Sequence, residues 1–232
     1  MKSTVSLQKN QYGSVVYKME NPRIEDYRFI ISDLDGTLYF QPPLRMGMAI
    51  KMMRHCITKP LKISDIFIVY LYRKFLENEK FSDCEDSETQ KINYLATKFH
   101  KDSEMIRQII DFWMIESPLK LIKKHRDKKL IDILKASKKN GSTIVVYSDY
   151  PTEKKLGALG LEPDYAFYSG DEIINCFKPK SDGLKNIITM LGCKASEVLF
   201  IGDRDSKDGE CARACSIDYM ILDRSERGRQ YE

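Results

Sequence analysis

From Asn140-Gly141 onward the chain alternates, and this alternation restricts its fold more than any other feature. A β-branched run at 142–147 ends at Ser148. A helical pattern at 152–159 closes on Gly160, and a short aromatic strand follows at 165–168. A second helix at 182–191 closes on Gly192, and an apolar run at 198–201 ends at Gly202-Asp203. A helix at 206–214 and a last strand at 219–222 complete the series. Glycine just past a helical pattern supplies the left-handed residue on which many helices end. Strands separated by helices pair in parallel, through right-handed crossovers. The expected class is α/β, a parallel sheet with helices on both faces.

One more strand is expected far upstream, at about 27–33. The apolar run Tyr27 to Ile31 leads into Ser32-Asp33-Leu34-Asp35-Gly36-Thr37. Side chains alternate along a strand, so Asp33 and Asp35 point the same way. Two carboxylates crowded at a buried strand end repel, and a hard cation such as Mg²⁺ suits such oxygen ligands. After Leu38, the sequence Tyr39-Phe40-Gln41-Pro42-Pro43 reads as a turn that no helix continues.

Residues 44–126 then carry helical periodicity. Met46, Ile50, Met53 and Ile57 share one helix face, and 63–76 is apolar and aromatic. Two further helices are expected at 87–100 and 103–115. Ser103 is the expected N-cap of the second, whose stripe is Met105, Ile106, Ile109, Ile110 and Trp113. The acidic stretch 77–90, six acids against Lys80, reads as a solvated loop. The expected organisation is an N-terminal arm and first part of the core at 1–42, a helical insert at 43–118, and the rest of the core at 119–232. Within the polar lead, 13–17 is either a short edge strand or an ordered arm. The charged tail 223–232 is expected to fray.

With 232 residues, 42% of them hydrophobic, the chain has material for one ample core, or a core and a smaller lobe. The net charge of +4 is too small to imply a nucleic-acid or membrane partner by itself, and neither is expected. Nine Lys/Arg stand against Asp127 and Asp132 in 117–139. They form either a solvated helix face over Leu130, Ile131 and Leu134 or an electrostatic funnel for an anionic substrate. The six cysteines form no CxxC pair and only three histidines occur, which argues against zinc. Cys211 and Cys215 are assigned to core packing. Free thiols, the lack of a secretory signal and the lack of a membrane span point to the cytoplasm. Phe67, Ile68, Tyr70 and Leu71 are either a dimer face or the insert's own core, so monomer and homodimer both stay open.

Ligands bind beyond the carboxyl ends of strands in open α/β sheets. Four segments deliver chemistry there: Asp33 and Asp35; Ser148; Lys178, in Phe177-Lys178-Pro179; and Asp203, with Asp208 five residues on. These are the parts that phosphoryl transfer from a monoester requires. Asp33 serves as nucleophile and Asp35 as general acid and then base. Ser148 hydrogen-bonds a phosphoryl oxygen, Lys178 neutralises nucleophile and phosphate, and Gly36 allows a tight turn beside the substrate. Mg²⁺ between Asp33 and Asp203, also touching the Asp35 carbonyl, offsets the remaining charge.

Asp33-Leu34-Asp35-Gly36-Thr37 resembles the DxDGT signature of the haloacid dehalogenase-like hydrolases, most of which are phosphatases. Ser148, Lys178 and Asp203 match the family's other three motifs in order. The resemblance covers about 27–40 and 117–222, and the helical insert resembles the family's C1-type cap. It implies a Rossmann-like core and a Mg²⁺-dependent phosphatase acting on a small phosphorylated metabolite through an aspartyl-phosphate. The implied phosphate-binding set is Asp33, Gly36, Thr37, Ser148, Asp149 and Lys178. The implied metal set is Asp33, Asp35, Asp203 and Asp208, with Asp208 either holding metal-bound water or capping a helix. Asp205 supports the site from further back. Tyr39, Phe40 and Trp113 are candidates to touch substrate, Trp113 more readily belonging to a core. Many relatives carry Asn or a small residue where this chain has Asp149, which either caps the turn before Pro151 or contributes to substrate choice. A phosphomutase of the β-phosphoglucomutase type is the enzymatic alternative, and a non-catalytic binding protein on the same fold is another. A dehalogenase is disfavoured, because Asp35 has no task there.

Overall fold

The computed structural model describes residues 8–9, 15–16, 23–76, 87–222 and 224. They divide into two compact units, 1–42 with 122–232 and 43–121.

The first unit is built on one sheet. Two short strands come first, β1 (Gln8–Lys9) and β2 (Val15–Val16), followed by β3 (Phe29–Ser32). The later strands are β4 (Thr143–Ser148), β5 (Tyr165–Tyr168), β6 (Val198–Gly202) and β7 (Asp218–Ile221). The spatial order is β1-β2-β7-β6-β3-β4-β5. The five from β7 to β5 are parallel, and β2 joins β7 antiparallel, with Val15 opposite Ile221 and Val16 opposite Met220. Central strands buried on both faces read as unbroken apolar runs, which is why 29–32 and 198–202 show no alternation. The expected α/β class is the observed one. Of the expected N-terminal strand at 13–17, Val15–Val16 is the described part.

Chain direction switches at β3. From it the connection runs to β4 and β5 on one side, then back to β6 and β7 on the other. The carboxyl end of β3, where Asp33 stands, is therefore the switch point at which such sheets bind ligands. Tyr147 of β4 and Phe200 of β6 are fully buried and meet edge to face, 6.5 Å apart, in the core that also holds Ile31, Leu184 and Cys211. The five described cysteines are free thiols.

The second unit is helical. It comprises most of α1 (Gln41–Thr58), then α2 (Ser64–Leu76), α3 (Ser87–Phe99) and α4 (Ser103–Ile110), with a wide π-type turn at Asp111–Glu116. It also takes in the first residues of α5 (Leu119–Lys124). Its core is Ile68, Tyr72, Ile92, Leu95, Ile106 and Ile110. Trp113 is buried as well, edge-on to His55 at 5.1 Å. The quartet 67, 68, 70 and 71 divides: Ile68 is core, whereas Phe67 and Tyr70 are more than half exposed.

Two local expectations are corrected. Pro42 and Pro43 do not stop a helix; they lie in the first turn of α1, where the missing N–H groups have no helical partner to lose. The N-cap of α4 is Asp102, whose Oδ1 accepts the Met105 amide at 2.7 Å; Ser103 is already helical and donates to Asn93 Oδ1. The acidic stretch 77–86 lies outside the described residues. Among those described, no helix is long and apolar enough to cross a membrane.

Candidate active site

Asp33 follows β3 directly and is buried. Its Oδ1 accepts from Lys178 Nζ at 2.5 Å and its Oδ2 from Thr37 Oγ1 at 2.8 Å. Lys178 precedes Pro179 through a cis peptide bond and is itself buried. Its ammonium also donates to Asp208 Oδ1 at 2.8 Å. Asp208 Oδ2 accepts the backbone amides of Asp203 and Arg204, at 3.2 and 3.1 Å. One lysine thus ties the end of β3 to the loop after β6.

Asp33, Asp203 and Asp208 bring one carboxylate oxygen each within 4.8 Å of one another. Burial pushes the Asp33 carboxyl up despite the pull of Lys178, and the Asp208 and Asp203 charges push the same way. Asp203 is pushed up to about 6 by burial and by Asp208. Burial opposes a charge on Lys178, but Asp33, Asp208 and Asp149 outweigh it and hold the ammonium well above its usual range. Asp203 Oδ1 is buried without a hydrogen-bond partner among the described residues; Arg204 Nε, at 3.9 Å, is too far to donate. Three carboxylates against one ammonium, with an orphaned oxygen among them, fit a bound hard cation.

Asp35 lies outside that cluster. Lys155 Nζ, on α7 (Glu153–Leu159), is 2.7 Å from both of its oxygens, and Tyr39 donates its hydroxyl to Oδ1. Burial would raise the Asp35 carboxyl, but Lys155 and then Tyr39 outweigh it, so the carboxyl sits below its usual range. The Asp35 carbonyl accepts from Gln41 Nε2 at 2.7 Å, leaving a second lone pair. Ser148, the last residue of β4, is buried; its Oγ is 3.4 Å from Asp35 Oδ2 and accepts the Tyr150 amide at 3.1 Å.

Asp149 has both oxygens engaged. Oδ1 accepts the Lys178 amide at 3.1 Å, and Oδ2 lies 3.3 Å from Lys207 Nζ. The structure therefore gives it the task of holding Lys178 in place, a task absent from the two readings of this residue, turn cap or substrate contact. Tyr39 and Phe40 are buried, Tyr39 on Asp35 and Phe40 beneath the Arg224 guanidinium at 5.0 Å. The basic 117–139 stretch lines a separate hollow of about 400 Å³, through Lys123, Arg126, Lys128 and Lys135, that no residue of the carboxylate site lines.

Gly36 adopts φ +105°, and a Cβ there would fall 2.2 Å from Asp203 Oδ2. Gly36→Ala is therefore expected to cost about 1–3 kcal/mol from backbone strain alone and to displace Asp203. Denaturant unfolding and metal titration of the variant check both; wild-type values for each would show that the loop relaxes freely.

Two positions carried no sequence signal. Lys155 sits in an ordinary Glu-Lys-Lys-Leu helix start. Arg224, in the tail expected to fray, donates Nε to the Gly36 carbonyl at 2.9 Å, donates to the Thr37 carbonyl, and pairs with Asp127 Oδ2 at 2.7 Å. Asp127 in turn caps α6 (Lys128–Lys139).

The haloacid dehalogenase-like hydrolase family model matches residues 27–215. The chain belongs to this family. Solved structures agree on the fold. A 2-haloacid dehalogenase from Pseudomonas syringae pv. Tomato DC3000 aligns at 16% identity and TM-score 0.56, covering 83% of this chain and 85% of that one. A HAD phosphatase from Thermococcus onnurineus aligns at 16% and 0.51, covering 85% and 87%. A HAD-hydrolase from Bacillus subtilis, solved with magnesium bound, aligns at 15% and 0.53, covering 83% and 85%. A search of curated proteins finds no match.

Proposed function

We propose that this hydrolase is a Mg²⁺-dependent phosphatase of a small phosphorylated metabolite, such as a sugar phosphate. The observation that carries the reading is the division of labour between two nearby acids. Asp33 belongs to a cation-ready carboxylate cluster, while Asp35 is held apart by Lys155 and Tyr39. A dehalogenase expels a halide, which needs no proton, and would leave Asp35 idle.

Asp33, oriented by Thr37 and Lys178, attacks phosphorus, and the ester P–O bond breaks. The leaving alkoxide takes a proton from Asp35, which receives it from the arriving phosphate monoanion, because Lys155 and Tyr39 hold the free carboxyl ionised. Asp35, left as the carboxylate that Lys155 favours, then takes a proton from water. That water attacks the aspartyl-phosphate, freeing Asp33 and inorganic phosphate. Ser148 donates to a phosphoryl oxygen, and Lys178 balances charge on Asp33 throughout. Asp33, Asp203 and the Asp35 carbonyl, with Asp208 behind, would hold Mg²⁺, which would supply electrostatic stabilisation of the phosphoryl oxygens. The helical unit is assigned the role of a cap that selects the substrate. The free thiols suit a reducing compartment such as the cytoplasm.

The test is phosphate release from p-nitrophenyl phosphate and a panel of phosphorylated metabolites, with Mg²⁺ and with EDTA. Release is expected to fall at least about tenfold on chelation. Equal release in EDTA, or halide release from 2-haloacids without phosphate release from any ester, overturns the reading. Return of the phosphoryl group to a sugar identifies a mutase instead.

A further inference from the structure

The small net charge conceals a strong local imbalance. Residues 41–76 hold seven Lys/Arg and one acid, Asp65. Asp65 is buried, with Oδ2 3.2 Å from His55 Nε2, so every outward charge on this segment is positive. On the same segment Met46, Ile50, Met53 and Ile57 are each 60% exposed or more. Their spacing of four, three and four residues puts them in one stripe along α1, with Arg45 and Arg54 on either side. The turn after α1 presents Leu61, 96% exposed, between Lys59 and Lys62.

An apolar run of this length rimmed by charge marks an interaction surface. Its chemistry selects among occupants. A second copy of the chain would press this cationic rim against itself, and like charges across an interface oppose association. A bilayer surface of anionic lipid accommodates both parts at once, apolar side chains at the acyl boundary and cations among the headgroups. We propose that this face of the helical unit docks on an anionic membrane surface. Leu61 and the α1 stripe enter the interface, and Arg54, Lys59 and Lys62 meet the headgroups. The contact is peripheral and spans nothing.

The full chain is sedimented with phosphatidylcholine vesicles containing phosphatidylserine and with pure phosphatidylcholine vesicles, at low and high salt. Binding is expected only to the anionic vesicles, and high salt should release it. Met53→Asp with Leu61→Asp, and separately Lys59→Glu with Lys62→Glu, should each weaken the partition at least about tenfold. All four positions are solvent-facing, so the circular dichroism spectrum and thermal midpoint should stay those of wild type. A wild-type chain that stays in the supernatant with anionic vesicles overturns the proposal, as does binding that both double variants leave unchanged. A dimer detected by light scattering and split by Met53→Asp with Leu61→Asp also overturns it, making this face a self-contact.

Discussion

Asp33→Asn should lower phosphate release at least about a thousandfold while leaving the thermal midpoint unchanged or higher. The amide cannot form the acyl-phosphate, so the first step is lost. Stability behaves differently because the Asp33 charge is disfavoured by burial and by two neighbouring carboxylates. A neutral side chain of the same shape removes that repulsion, and Lys178 keeps Asp208 at 2.8 Å. Steady-state kinetics on p-nitrophenyl phosphate and a thermal melt read both sides. Turnover within about tenfold of wild type would remove Asp33 as nucleophile. A midpoint several degrees lower would make the Asp33–Lys178 pair structural first.

Lys178→Met reverses the stability sign. It leaves Asp33, Asp203 and Asp208 clustered with no ammonium among them, the Arg204 guanidinium lying 3.9 Å from Asp203 alone of the three. Breaking a buried charge pair from one side costs about 3–5 kcal/mol. In a protein of this size that lowers the midpoint by roughly 10 °C. Mg²⁺ should recover part of the loss, since an ion bound only by the folded state stabilises it. The measurement is the melt of wild type and variant with and without Mg²⁺. An unchanged midpoint for the metal-free variant would mean that the carboxylates neutralise themselves by taking up protons.

The parallel strands and the helical block were readable because each rests on local patterns: apolar runs ended by glycine, and helices closed by Gly160 and Gly192 in the left-handed conformation. The gathering of Asp33, Ser148, Lys178 and Asp203 at one rim of the sheet was readable because each stands at the end of a strand or in the loop just beyond it. Partners recruited from afar were not. Lys155 reaches Asp35 across 120 residues and looks like any helix-surface lysine in one dimension. Asp149 read as a turn cap or a contributor to substrate choice because the residues that engage it, Lys207 and the Lys178 backbone, are distant in sequence. Proline at 42 and 43 misled because a breaker in mid-helix is harmless in a first turn. The near-neutral overall charge hid the cationic segment 41–76, since acids elsewhere cancel it in the sum.

The contact of Arg224 with the Gly36 and Thr37 carbonyls has a consequence for the order of events on the ribosome. Asp33 emerges well before the side chain that braces its loop, which follows 188 residues after Gly36. The strand that receives Val15 and Val16 is also the last of the described strands to be made. The helical unit is a continuous stretch, 43–121, and local contacts let it fold while synthesis proceeds. The sheet must wait for β7. A growing or prematurely ended chain therefore carries Asp33 and Asp35 without the contacts that position them, and those contacts form only once residue 224 has been made.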